Sequence, residues 1–327
     1  MNNKAKIRKL AELTVKIIIV LLGIYVLYKK IIVNQNVTEV WNRIETSFTN
    51  RRQFALMIFA FVLVFLNIFL EAIKWKYQVR PIEIISKWKS FLSIFTGMTA
   101  GMFFPNRMGN FLGRIFMLEK GDRIKAAMVT IVGGMAQMIA TVSIGLIASI
   151  FYVKKYSVFI IIAATLTITL LLLIYFNIYL LKYFKFLIPK KFKEKTEEYF
   201  EVFSLYDKTE LLKILMISFA RYFLYTFQFV ILIWAFGVPL NYFNAMIPIA
   251  LTYLAMMIVP FITITEIAVR GSVSVVIFEK WLIMNGIDYS FGMMVFSASS
   301  LLWIFNTAIP AIIGLFMTYR LKFFREK

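Results

Sequence analysis

Two short stretches concentrate the polar chemistry of this chain. Arg107, Asn110 and Arg114 follow Pro105, and Thr263, Glu266 and Arg270 follow Pro260. Each triplet is spaced three and then four residues apart, so each forms one stripe on an α-helix. A proline inside an apolar segment frees a carbonyl and breaks or kinks the helix. Arginines at such a break, beside the positive end of a helix, suit a phosphate. The plainer reading makes each proline an ordinary kink and each arginine a snorkelling interfacial residue.

Other charges lie inside apolar runs. Arg221 shares a face with Tyr225 and Gln228. An intramembrane arginine is a functional-site hypothesis by default. The alternative is a structural pair with a carboxylate such as Glu71 or Glu266. Asn67, Glu71 and Lys74 share another face. Glu71 is expensive in lipid and should face protein or water, and an interfacial Glu71–Lys74 pair is the expectation. Thr263-x-x-Glu266 also fits a capping box, which would place Glu266 at a helix start.

Composition narrows what these residues can do. The chain is 61% hydrophobic and 17% aromatic, with a mean hydropathy of +0.79. A soluble domain could not bury that much apolar surface, so the fold expected is an all-α polytopic membrane protein. The net charge of +20 reads as cytoplasmic anchoring and attraction to anionic lipid, with no nucleic-acid partner. Cysteine and histidine are absent, which removes thiol nucleophiles, imidazole bases and His/Cys metal sites. The aspartates are only Asp122, Asp207 and Asp288, too scattered for a carboxylate metal cluster. No P-loop is present. The expectation is a protein that is not an enzyme, with no cofactor and no metal.

These residues need membrane helices to hold them. About six to eight membrane segments are expected, in two pseudo-repeated halves. Residues 1–181 form the first half with motif 104–114. Residues 182–210 form a cytoplasmic amphipathic linker of mixed Lys and Glu, and 211–327 form the second half with motif 259–271. Helices are read at about 13–33, 53–75, 126–152, 157–181, 211–237, 242–259 and 289–319. Roughly fourteen apolar residues, 91–104, precede Pro105, too few to cross about 30 Å of hydrocarbon. A re-entrant segment is expected there and at the second proline, with the two halves related as inverted repeats. Gly97 with Gly101, and Gly109 with Gly113, form small-residue packing faces. Basic residues at both ends, such as Lys4, Arg8, Arg320 and Lys322, place both termini in the cytoplasm of a multi-pass protein of the cell membrane.

Phe104-Pro105-Asn106-Arg107-Met-Gly109-Asn110-x-x-x-Arg114 resembles the P-x-R-x-G-E-x-x-R signature of the transmembrane region of lysylphosphatidylglycerol synthases and flippases. Thr265-Glu266-x-x-x-Arg270-Gly271, after Pro260, is similar to the second-half motif of that group. The resemblance extends over essentially the whole chain in segment order. Asn110 replaces the usual acid, so a carboxylate role there is not carried over. Phe261-Ile-Thr-Ile-Thr265 replaces the usual glycine-rich turn. No soluble aminoacyl-transferring domain accompanies the sequence, so the resemblance implies a stand-alone member and lipid translocation, not lipid aminoacylation.

The resulting expectation is a flippase or scramblase for a phospholipid or lipid-linked head group, with membrane lipids as partners. Arg107, Arg114 and Arg270, then Arg221, would contact the head group. Asn110 would add neutral hydrogen bonds, and Glu266 would orient an arginine or meet a cationic group. Pro105, Gly109, Pro260 and Gly271 would be hinges and points of close backbone approach. The rivals are a membrane transferase using Glu71 or Glu266, and a non-transporting subunit of a lipid-modifying complex. Assembly as a homo-oligomer or with a lipid synthase is the remaining partner expectation.

Overall fold

The computed structural model describes residues 14, 37–102, 104, 108–119, 122–153, 157–180, 199–259, 265–287 and 291–318. Pro105, Asn106, Arg107, Pro260 and Thr263 lie outside the described residues. So do all but one residue of the first expected helix, most of the expected linker and the basic C-terminal end.

The described residues are helical and contain no strand. The helices are α1 (Val37–Thr49), α2 (Arg51–Val79), α3 (Lys87–Gly101), α4 (Gly109–Phe116), α5 (Arg123–Tyr152) and α6 (Ser157–Phe176). After a 3₁₀ turn (Glu201–Leu205) come α7 (Lys208–Ala235), α8 (Tyr242–Ile258), α9 (Glu266–Met284) and α10 (Gly292–Trp303). A π-helical turn (Ile304–Ala308) then leads into α11 (Ile309–Thr318). Local chemistry explains several starts. Ser86, Asp122 and Asn241 each accept a backbone N–H as N-caps of α3, α5 and α8.

Among the described residues, five helical stretches are long and apolar enough to cross a membrane: Arg51–Val79, Arg123–Tyr152, Val158–Phe176, Lys208–Ala235 and Gly292–Met317. Tyr242–Ile258 is a shorter apolar helix. The chain is therefore an all-α polytopic membrane protein. The last span, expected as one helix over 289–319, holds a π-turn just before Pro310. Pro310 has no N–H to donate, and a π-turn is a usual way to absorb such a defect.

The chain falls into two compact units that draw on both sequence halves. In one, the described parts of 37–62 and 226–308 pack α9 between α8 and α10. Its core includes Phe229, Ile249, Val275, Phe278, Met294 and Leu302. The Gln228 amide donates to the Ala60 carbonyl at 3.0 Å. Gly271 lies against the Phe296 ring, so a side chain there would displace it.

The other unit contains the described parts of 63–103, 107–225 and 309–318. Here α3 and α4 form a tight antiparallel hairpin: Gly101 faces Asn110, and Gly97 faces Asn110 and Arg114. A Cβ on Gly113 would sit 2.5 Å from the Thr96 carbonyl, so the two backbones touch through glycine. At 15 and 8 residues, these helices are about 22 Å and 12 Å long, too short to span. On the same α3, α11 packs through Gly314, and the Thr99 hydroxyl donates to the Ala311 carbonyl at 2.8 Å.

A buried cationic cluster around one carboxylate

Four charged side chains meet inside the second unit. Glu71 and Lys74 sit on one face of α2, Arg114 on the last turn of α4, and Arg221 near the middle of α7. Arg114 Nη1 donates to Glu71 Oε1 at 2.6 Å. Lys74 Nζ lies 2.8 Å from Glu71 Oε2, and Arg221 pairs with the same oxygen. Asn67 Oδ1 accepts from Arg221 Nε at 3.0 Å, and Gln137 Oε1 from Arg221 Nη1 at 3.2 Å. Glu71 and Lys74 are 5% and 3% exposed. The expected Glu71–Lys74 pair is present, and the carboxylate is also shared with two arginines.

Local packing puts Arg114 there. A side chain at Gly97 would press on Arg114 Cγ at 3.1 Å, so the glycine seam leaves room for the guanidinium to pass along α3. The guanidinium carbon is 5.9 Å from the Trp75 ring centroid, within cation–π range. Trp75 Nε1 and Arg114 Nε are buried donors with no acceptor among the described residues. The cluster has three cations and one carboxylate, a formal charge of +2. It is rich in donors and poor in acceptors. Buried charges are normally balanced by pairing, so a surplus of this kind is a chemical feature of the site.

The second motif holds its own ion pair. Glu266 and Arg270, one turn apart at the start of α9, pair with each other, and Glu266 is fully buried. Trp303 Nε1 donates to Glu266 Oε2 at 3.4 Å, and the Arg270 guanidinium carbon is 5.8 Å from the Tyr253 ring centroid. This pair is neutral overall. The N-cap of α9 is Thr265, whose side chain makes no capping hydrogen bond, and the Glu266 carboxylate is turned to Arg270.

The structure therefore brings Arg114 and Arg221 together, and separately Glu266 with Arg270. Gly109 is buried at the start of α4, Asn110 packs its amide on Gly101, and Gly271 packs on Phe296. Lys74, Asn67 and Gln137 are members of the cluster that motif reasoning left out. Their signal was polar residues on the inner faces of apolar helices.

Helices of this length and apolarity define an integral membrane protein, and a cation-rich cluster lies among them. A sequence model of the lysylphosphatidylglycerol synthase TM region matches residues 13–296, and the chain belongs to that family. A search of curated proteins and a search of solved structures each return no significant match. The family places the chain in membrane lipid biology.

Proposed function

We propose that the protein moves a phospholipid or lipid-linked head group across the membrane, as a flippase or scramblase without catalytic chemistry of its own. The observation that carries this reading is the convergence of buried Lys74 and Arg114 and part-buried Arg221 on the single carboxylate of Glu71. A head group crossing hydrocarbon must exchange water for polar partners of opposite charge. A surplus of buried guanidinium and ammonium groups offers those partners to a phosphate. Ion pairing occupies both Glu71 and Glu266, which favours transport over a transferase that needs an uncommitted carboxylate base.

In this reading the α3–α4 hairpin is a re-entrant element that carries Arg114 to the depth of Arg221. Arg107, Arg270 and Asn110 would meet the lipid elsewhere on its path. Gradient, membrane potential or a partner would supply any driving force, and the termini would lie in the cytoplasm of the cell membrane.

The test is reconstitution of the purified chain into liposomes holding a trace of acyl-chain-labelled phosphatidic acid in both leaflets. A membrane-impermeant quencher then reports the fraction that becomes accessible. The reading expects near-complete quenching with protein and about half in protein-free vesicles. Equal quenching in the two would overturn it.

A further inference from the structure

We infer that the Glu71 cluster selects a doubly charged phosphate, the phosphomonoester head group of a lipid, over singly charged phosphodiester lipids. This assignment rests on the head-group reading above and names its substrate class. The reasoning is a count of charge and of hydrogen-bonding capacity at one buried place. Two guanidiniums and one ammonium face one carboxylate, and the other acceptors on Arg221 are the neutral carbonyls of Asn67 and Gln137. The formal surplus is +2. A phosphodiester would cancel half of it. A phosphomonoester dianion cancels all of it, and its three terminal oxygens supply acceptors where the cluster lacks them.

The geometry assigns Glu71 a second role. Its two oxygens hold the three cations together: Arg114 on one oxygen, Lys74 and Arg221 on the other. The carboxylate is thus a resident counter-ion that keeps the cationic groups converged while no lipid is bound. An entering phosphate takes over part of that pairing. Neutralising Glu71 should therefore raise the cluster's appetite for a dianion.

The test is native mass spectrometry of the full chain, purified with an equimolar mixture of phosphatidic acid and phosphatidylglycerol of matched acyl chains. Wild type is compared with Arg221→Gln and Lys74→Gln, each checked for helical content. A third arm adds millimolar inorganic phosphate. One extra unit of charge met at close range in a partly buried site is worth at least about a tenfold preference. The expected result is phosphatidic acid retained about tenfold or more over phosphatidylglycerol by wild type. Both variants, with a cluster charge of +1, should bind the two lipids at close to parity. Equal retention by wild type, or a preference that survives in both variants, would overturn the inference. Loss of phosphatidic acid to inorganic phosphate would equally overturn it, by making free phosphate the ligand. A selective lipid site in a chain that moves no lipid in the quenching assay would refute transport alone, so the two failures read out separately.

Discussion

Replacing Glu71 with Gln removes the single negative charge from the buried cluster and leaves Lys74, Arg114 and Arg221 facing one another. Each close ion pair is worth about 4 kcal/mol gross at an effective dielectric near 20. The desolvation of these groups has offset much of that, so the net loss is smaller. Removing one partner of a buried pair typically costs 3–5 kcal/mol, and here three cations lose the same partner. The expected destabilisation is about 4–5 kcal/mol. At the sensitivity of mid-sized domains that lowers the melting temperature by roughly 10 °C. The assay is a thermal melt of purified protein in neutral detergent, followed by intrinsic fluorescence. Phosphatidic acid, added at the same molar ratio to both proteins, should raise the midpoint of Glu71→Gln more than that of wild type. A variant melting within about 2 °C of wild type in the absence of lipid would refute the claim that Glu71 is the counter-charge of the cluster.

Other substitutions separate the two motifs. Arg221→Gln should cost less than Glu71→Gln, about 2 kcal/mol or below, because Glu71 keeps Arg114 and Lys74; parallel melts check the order. Arg270→Gln should cost about 3–5 kcal/mol, because it removes one partner of a buried ion pair with Glu266. The Glu266→Gln/Arg270→Gln double variant should then recover most of the loss in a double-mutant cycle. Gly113→Ala should lower the midpoint and weaken lipid retention, since its Cβ would sit 2.5 Å from the Thr96 carbonyl. Gly134→Ala, on α5 with nothing within 4 Å, should be neutral or stabilising by up to about 1 kcal/mol.

Much of the helical order was legible because apolar run length is a strong signal. The segments read at 53–75, 126–152, 211–237 and 242–259 correspond to α2, α5, α7 and α8 to within a few residues. The shortness of the run before Pro105 was legible too, and α3 is indeed too short to span. Tertiary convergence was not. Glu71 and Arg114 are 43 positions apart, and Arg221 and Asn67 are 154 apart, so no local pattern joins them. The apolar run over 53–75 sets the expected helix end near Trp75. The helix itself continues to Val79, and Gln78 and Trp75 are buried. The likeness of the two proline motifs also concealed a physical difference. The spacing of their polar residues is the same, but the first brings its arginine to a carboxylate on a distant helix, whereas the second pairs its arginine with a carboxylate one turn away. The π-turn at Ile304–Ala308 left no mark beyond Pro310, since apolar residues fill π and α turns alike.

The central claim is that the surplus positive charge around Glu71 serves the passage of a lipid phosphate. The most direct measurement compares wild type with Arg221→Gln in the liposome quenching assay, using acyl-chain-labelled phosphatidic acid and matched amounts of folded protein. The account predicts rapid, near-complete exchange by wild type and a rate at least about tenfold lower in the variant, with the fold retained. Exchange by Arg221→Gln at the wild-type rate would contradict it and make the cluster a structural feature of the bundle.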